Sequence, residues 1–212
     1  MKIVCISDTH NQHQGIEVPP GDVLIHAGDL TGRGRTYEVE DAVTWLLDQP
    51  HRHKILVAGN HDWLFQRQPE LARALVAELH YLEDSGCELE GLHFWGSPWQ
   101  PWFCDWAFNL KTRQELHDRW KLIPSHTDVL ITHGPPFGIM DKVEHSKSVG
   151  CEALLETVER IEPRLHVFGH IHEGHGQQQR GRTLFVNASI CDEAYRPVLK
   201  PIVVELSGRG ES

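Results

Sequence analysis

The sequence predicts an α/β protein in which βα units surround buried sheets, and two observations carry that prediction. Short apolar runs rich in β-branched residues recur along the chain, and patterns of helical period lie between them. Taken in order, "KIVCIS" (2–7) and "DVLIHA" (22–27) are strands. Val39, Ala42, Val43, Leu46 and Leu47 then form one helical stripe at i, i+3, i+4, i+7 and i+8. "HKILVA" (53–58) is the next strand, and Leu71, Leu75 and Leu79 repeat the helical spacing with Pro69 in the first turn. After a turn around Gly91 comes the strand "LHFWGS" (92–97). "TRQE" (112–115) is a capping-box pattern, opening a helix that carries Leu116 and Trp120 and stops before Pro124. "DVLIT" (128–132) and "LHVFG" (165–169) are strands around a helix bearing Leu154, Leu155, Val158 and Ile161, which Pro163 ends. "TLFVN" (183–187) and "PIVVEL" (201–206) complete the set. With no repeat, linker or composition break, residues 1–206 are expected to form one domain and 207–212 a short flexible tail.

Composition narrows the function. The 212 residues are 40% apolar, enough for one well-filled core, and the formal net charge of -10 excludes a general nucleic-acid binder, which needs a positive field. An anionic substrate would then need bound cations rather than surface charge to neutralise it. Five cysteines, odd in number, scattered and never in a C-x-x-C pair, suggest neither a disulfide framework nor a thiolate zinc site. The opening "MKIVCISDTH" turns polar too soon for a signal peptide, and no apolar run approaches the ~18 residues of a membrane span. A soluble cytoplasmic protein with no membrane contact is expected. The histidine count, 16, is unusually high.

Position separates the functional histidines from the rest. Each of the first five β-branched strands is followed at once by residues able to hold a metal: Asp8 and His10; Asp29; Asn60, His61 and Asp62; His133; His170 and His172. Carboxyl ends of strands in an open α/β sheet form the crevice where ligands bind, so these residues should converge. In extended backbone, residues i and i+2 face the same way, which would aim Asp8 with His10, and His170 with His172. Gly28, Gly59, Gly134 and Gly169 flank them and permit sharp exits and close backbone approach. Turn chemistry explains any one of these features. It does not explain five at successive strand ends, and a metal site does.

The ordered series D-x-H (Asp8, His10), G-D (Gly28, Asp29), G-N-H-D (Gly59 to Asp62), T-H-G-P-P (Thr132 to Pro136) and G-H-x-H (Gly169 to His172) resembles the calcineurin-like metallophosphoesterase superfamily. The longer strings "DVLIHAGDLTGRG", "GSPWQPWF" and "RLHVFGHIHEGHG" are more similar to its metallophosphoesterase-domain-containing branch, over roughly Lys2 to Leu206. The resemblance implies a four-layer αββα sandwich with two central mixed β-sheets, and a dinuclear metal centre. It implies that Asp8, His10, Asp29 and His172 hold one cation and that Asp29, Asn60, His133 and His170 hold the other, with Asp29 bridging. A carboxylate can span two cations ~3.5–4 Å apart, whereas imidazole and amide ligands serve one each. Nitrogen and oxygen donors without thiolate favour two divalent transition-metal ions, Mn foremost with Fe or Zn as alternatives, over Ca or Mg.

On this reading the chain is a metal-dependent phosphodiesterase that hydrolyses small organic or nucleotide-type phosphodiesters through the dinuclear centre and a bridging hydroxide. His61, beside Asn60 but off the metals, is the expected general acid, with Asp62 orienting its ring or raising its pKa. Protein phosphatases of the superfamily carry a second Asp followed by Arg-Gly after the G-D pair, and "GDLTGRG" lacks that Asp. A phosphomonoesterase using the same centre is the alternative enzyme, and a nucleotide-binding scaffold with weak catalysis is the alternative outside enzymes. Arg33 is a minor candidate for phosphate contact. The aromatic segment 97–108 is expected to be satellite core, with Trp99 or Trp102 stacking on a nucleobase as the functional alternative. His175 is expected in an exposed loop, His26 in a structural role, and "HRH" (51–53) in a solvated loop.

Overall fold

In the computed structural model, which describes residues 1–143 and 147–207, the strands form two main sheets, with two short two-stranded pairs, Gln100–Pro101 with Asn109–Leu110 and Lys142–Val143 with Lys147–Ser148, outside them. Strands β1 (Lys2–Ile6), β2 (Val23–His26), β3 (His53–Leu56) and β4 (His80–Tyr81) lie parallel and side by side. The second sheet comprises β5 (Ser85–Leu89), β6 (Leu92–Ser97), β7 (Val129–Thr132), β8 (Leu165–Phe168), β9 (Gly176–Arg180) and β10 (Thr183–Asn187), in the order β9-β10-β8-β7-β6-β5. Its four central strands are parallel and its two edge strands antiparallel. The chain then returns to the first sheet as β11 (Ile202–Glu205), antiparallel beside β1.

Side-chain alternation assembles the layers. Along β1, Ile3 and Cys5 point toward the second sheet and join Val23, Ile25, Ile55, Phe94, Val129, Ile131, Leu165 and Val167 in one core between the sheets. Val4, Ile6, Leu24 and Leu56 face the other way, against α1 (Thr36–Asp48), α2 (Trp63–Arg67) and α3 (Pro69–Leu75). On the far side, Leu130, Phe168 and Phe185 pack under α4 (Arg113–Trp120) and α5 (Glu152–Ile161). The result is the expected four-layer αββα arrangement. Both faces of each sheet are covered, which is why the strands read as nearly unbroken apolar runs.

The helix signals correspond to capping geometry. Thr112 Oγ1 accepts from Glu115 N–H at 3.2 Å and Glu115 returns the bond to Thr112 N–H at 2.8 Å. Pro69 occupies the first turn of α3. That helix buries Ala72 and its C-cap Val76, whereas Leu71 of the expected stripe is 39% exposed. Three strands of the two sheets escape the sequence pattern: β4 is only His80–Tyr81, β9 is "GQQQR", with no apolar residue, and "SGCEL" in β5 lacks a β-branched residue. Their partners place them. β5 pairs with β6 across Glu90 and Gly91, both at positive φ (49° and 77°), the backbone a two-residue hairpin turn demands. The expected solvated loop at 51–53 is a correction: His51 is buried, its Nε2 3.1 Å from the Pro19 carbonyl, and His53 already belongs to β3. Of the expected tail, residues 208–212 lie outside the described residues.

What matters for function is the register. Ile6, His26 and Leu56 are aligned across β1, β2 and β3, so the segments after them leave from one edge. The second sheet delivers the segments after β7 and β8 to that same edge: Gly169 N–H bonds His133 O at 2.9 Å, and Ser7 bridges to Ser189 between the sheets.

His166, buried under the outer helices with Nε2 2.9 Å from Thr132 Oγ1 and Nδ1 without a hydrogen-bond partner among the described residues, is pushed down to about 3 by burial. The folded protein keeps it neutral down to that pH, while in the unfolded chain it protonates near 6.5. As pH falls through this window the unfolded state gains the proton first, so stability is lost at about 1.4 kcal/mol per unit. His166→Leu should move the acid-unfolding midpoint, followed by far-UV circular dichroism, to lower pH than in the parent protein.

Candidate metal centre

The strand ends do converge, though not by strand alternation. Regular extension stops at Ile6 and Phe168, and Asp8, His10, Asp29 and His170 adopt left-handed φ values of 54°, 42°, 53° and 66°. Aspartate and histidine are among the non-glycine residues enriched in this region. The turned backbone is held by its own hydrogen bonds: Asp8 N–H to Gly28 O (2.9 Å), His10 N–H to Asp29 O (3.0 Å), and His170 N–H to the Asp8 carboxylate (3.0 Å). The i, i+2 expectation therefore fails for His170 and His172, which diverge. His172 groups with Asp8 and His10, while His170 groups with Asp29 and His133.

Asp29 joins these groups. In each, the potential ligand atoms lie within 4.8 Å of one another, and Asp29 belongs both to the set with His133 and His170 and to a set with His10 and His61. Its Oδ1 is 3.4 Å from His133 Nε2, its Oδ2 3.8 Å from His10 Nε2 and 3.9 Å from His61 Nε2. Asn60 Oδ1 lies 2.8 Å from His133 Nε2, and His172 Nε2 lies 3.5 Å from Asp8 Oδ1. All seven expected ligands thus occupy one site, with Asp8, His10, Asp29, Asn60 and His133 buried.

Electrostatics follows from placing two carboxylates among imidazoles without water. Burial alone would raise Asp8 and Asp29, yet His172 for Asp8 and His133 for Asp29 hold both carboxyls below the usual range. Burial drives His10 and His170 each down to about 4, so both stay neutral and keep a lone pair for a cation. His133 and His172 rise to about 9 despite burial, because Asp29 and Asp8 respectively favour their charged forms.

Three features fit this site to a metal. Both ring nitrogens of His10 are buried and lack a hydrogen-bond partner among the described residues, an expensive arrangement unless something else satisfies one of them. The Nδ1 atoms of His133 and His172 approach the carbonyls of Ala27 (3.0 Å) and Asp192 (2.9 Å), which fixes the Nδ1–H tautomer and turns Nε2 toward the cluster. Glycine supplies clearance: a Cβ on Gly169 would sit 2.0 Å from Asp8 Oδ2, one on Gly59 2.3 Å from Asp29 Oδ1, and one on Gly28 2.4 Å from His133 Nδ1. Gly134 is different, its nearest neighbour being Gln100 Cβ at 3.7 Å, so the expected crowding there is absent.

The neighbouring candidates are sorted by contact. His61 lines the pocket, its Nδ1 2.8 Å from the Gly32 carbonyl and its ring stacked on Trp106 at 4.2 Å. Asp62, expected to orient that ring, does not touch it. Its oxygens accept instead from Gly59 N–H (2.8 Å), Thr31 N–H (2.9 Å), Thr31 Oγ1 (2.7 Å) and Leu30 N–H (3.2 Å), tying the loop after β2 to the loop after β3. Burial and the charge of Asp29 push Asp62 up to about 6. Arg33 is exposed and outside the pocket lining. His26 is structural, its Nε2 2.9 Å from Thr9 Oγ1. His175, expected exposed, is half-buried and lies outside the lining.

The aromatic segment divides. Trp99 is satellite core, bonded to Asp84 at 2.9 Å, with Phe108 against its ring and Arg119 over it. Trp102 is 51% exposed and, with Trp106, lines a cavity of about 1070 Å³ that opens from His10, Asp29, Asn60, His170 and His172. Sequence reasoning overlooked Trp106 and Tyr195. The first stood in a segment assigned to the core; the second follows the last motif, in a stretch without periodicity.

Comparison with known proteins accords with this geometry. A sequence profile of the calcineurin-like phosphoesterases matches residues 1–174. The chain belongs to the calcineurin-like phosphoesterase family. It is 44% identical to metallophosphoesterase domain-containing protein 1 of Homo sapiens over a 230-residue alignment that covers 97% of this chain and 71% of that one, with the same figures for the Mus musculus protein. A UPF0046 protein of Caenorhabditis elegans is 40% identical, covering 96% and 74%. The solved structure of TT1561 of Thermus thermophilus shares the fold, with a TM-score of 0.61 at 13% identity over 88% of each chain. As a calcineurin-like phosphoesterase this protein is a phosphoester hydrolase of a family that uses divalent metal ions.

The glycine clearances generate a paired test. Gly169→Ala, which drives a methyl into the Asp8 carboxylate, should weaken metal retention about tenfold or more, as loss of second-sphere support does. Gly134→Ala should leave it unchanged. Metal analysis after dialysis against graded chelator reads both.

Proposed function

We propose that this calcineurin-like phosphoesterase is a metal-dependent phosphodiesterase acting on small organic or nucleotide-type phosphodiesters. The observation that carries the reading is the Asp29 carboxylate, whose two oxygens face separate sets of imidazoles. One cation would be held by Asp8, His10, Asp29 and His172, the other by Asp29, Asn60, His133 and His170, and the mixed nitrogen and oxygen donors suit Mn, with Fe or Zn as alternatives. When bound, the pair supplies Lewis-acid polarisation of the phosphoryl oxygens and a water acidified from 15.7 toward ~7.

The chain's own residues do the rest. His61 donates Nδ1–H to Gly32 O, leaving Nε2 directed into the site, where a protonated ring can hand its proton to the leaving oxygen. Trp106 holds the imidazole in plane by stacking. Asp62 acts one step back: by fixing Gly59 and Thr31 it sets the loops that present Asn60, His61 and Asp29. The cavity supports a diester, since Trp102, Phe103, Leu110 and Phe137 extend an apolar wall beyond the polar floor, giving room for an organic group on either side of the phosphorus. The absence of the second Asp in "GDLTGRG" agrees with a small-molecule rather than a phosphoprotein substrate. Free cysteines throughout suit a reducing cytoplasm, and no helix among the described residues is long and apolar enough to cross a membrane.

Metal analysis coupled to a matched panel tests the proposal. The Mn-loaded protein should show higher kcat/KM on a diester than on its matching monoester, and Asp29→Ala should lose metal and activity together. His61→Ala should keep its metal, yet slow esters with poor leaving groups by about 100-fold or more while sparing p-nitrophenyl esters to within a few-fold. Equal slowing of both ester types would remove His61 from the general-acid role, and a preference for the monoester would reverse the substrate assignment.

A further inference from the structure

Beyond residue 174, where the family profile ends, the chain places one more side chain against the site. The Tyr195 ring lies 4.7 Å from His10 and 5.5 Å from His172, edge-on to both, and 6.2 Å from His61. It lines the cavity and is 49% exposed, and its hydroxyl has no hydrogen-bond partner among the described residues. A solvated surface tyrosine needs no special backbone. This one is held at φ 58°, a conformation that is unfavourable for a bulky residue and persists only when the surroundings enforce it.

The enforcement comes from Asp192. Its Oδ1 accepts from Ala194 N–H (3.0 Å) and Arg196 N–H (2.9 Å), and its Oδ2 is clamped by the Arg196 guanidinium at 2.6 and 2.8 Å. Its backbone carbonyl accepts Tyr195 N–H at 2.9 Å, and that same oxygen lies 2.9 Å from His172 Nδ1. One carbonyl therefore sets both the tautomer of a ligand histidine and the position of the phenol. Tyr195 cannot shift far without disturbing His172.

We propose that Tyr195 is a substrate-contacting residue, its ring walling the place where His10, His61 and His172 meet and its hydroxyl donating a hydrogen bond to a non-reacting oxygen of the bound phosphoryl group. This rests on the phosphodiesterase reading and extends it. The phenol remains a donor at neutral pH, and a charged acceptor makes the bond stronger than a neutral one would. A donor already fixed by a strained turn requires little reorganisation when substrate arrives.

Tyr195→Phe keeps the ring and the turn and removes only the donor. In Mn-loaded protein three quantities are to be measured: the inhibition constant of inorganic phosphate, kcat and KM on bis(p-nitrophenyl) phosphate, and bound metal. The expected result is a phosphate constant raised and kcat/KM lowered by about tenfold, with metal content and Tm unchanged. Values within twofold of the parent protein overturn the assignment. So does a loss of bound metal in step with activity, which would make Tyr195 a support for the histidines rather than a contact to substrate. A parent protein that neither hydrolyses the diester nor binds phosphate overturns the phosphodiesterase reading and this assignment with it; an active parent with an unaffected Tyr195→Phe overturns this assignment alone.

Discussion

Two carboxylates, Asp8 and Asp29, are buried where parallel strands of two sheets end, and the local structure is organised around the cost of keeping them charged. Removing an ion from water costs several kcal/mol even after relaxation, unless opposite charge and hydrogen bonds replace the lost hydration. Here the replacement is layered. His170 N–H and Ser189 Oγ bond Asp8, His61 N–H bonds Asp29, and imidazoles close around both. These carboxylates are anchored by backbone and ringed by imidazoles, of which His133 and His172 favour their charged forms beside Asp29 and Asp8 while His10 and His170 stay neutral, and bound divalent cations would take over the role of the two charged rings.

That constraint explains features which otherwise look unrelated. The left-handed backbone at Asp8, Asp29 and His170 lets short segments reverse within two or three residues of a strand, so that side chains rather than main chain meet at the rim. Gly28, Gly59 and Gly169 stand where any Cβ would penetrate a ligand atom or its neighbour. Backbone carbonyls of Ala27, Gly32 and Asp192 each engage an Nδ1, so His133, His61 and His172 all present Nε2 inward. Rigid strands fix the positions of the ligands, and carbonyl groups one layer out fix their protonation.

The cavity divides its labour in the same way. Its floor is the polar cluster, and one stretch of its wall is apolar, carrying exposed Trp102, Phe103 and Phe137 beside charged Lys111, Arg113 and Lys147. Exposed aromatic surface is justified at a place where a substrate covers it. Asp62 shows how a motif residue can matter without facing the cavity: its four hydrogen bonds splice two loops, and those loops carry Asp29, Asn60 and His61, which line it.

The sequence by itself marked most strands and helices of the four layers, because buried parallel strands and amphipathic helices announce themselves through apolar periodicity, and it marked the seven candidate ligand residues, because each lies just after a strand; the short helix Trp63–Arg67 and the two-residue strand His80–Tyr81 carried no such signal. It also located the capping box at Thr112 and the helix start at Pro69. Only the tertiary structure decided the edge strands Ser85–Leu89 and Gly176–Arg180, which form through backbone pairing with a neighbour and leave no side-chain period. It supplied the backbone turn by which His170 and His172, already assigned to different cations by the family resemblance, diverge, and it moved the ring contact of His61 from Asp62 to Gly32. It also brought Trp106 and Tyr195 into the site. Those outcomes depend on φ values and on carbonyl directions, which no side chain encodes, and on contacts between segments as distant in the chain as His10 and Tyr195.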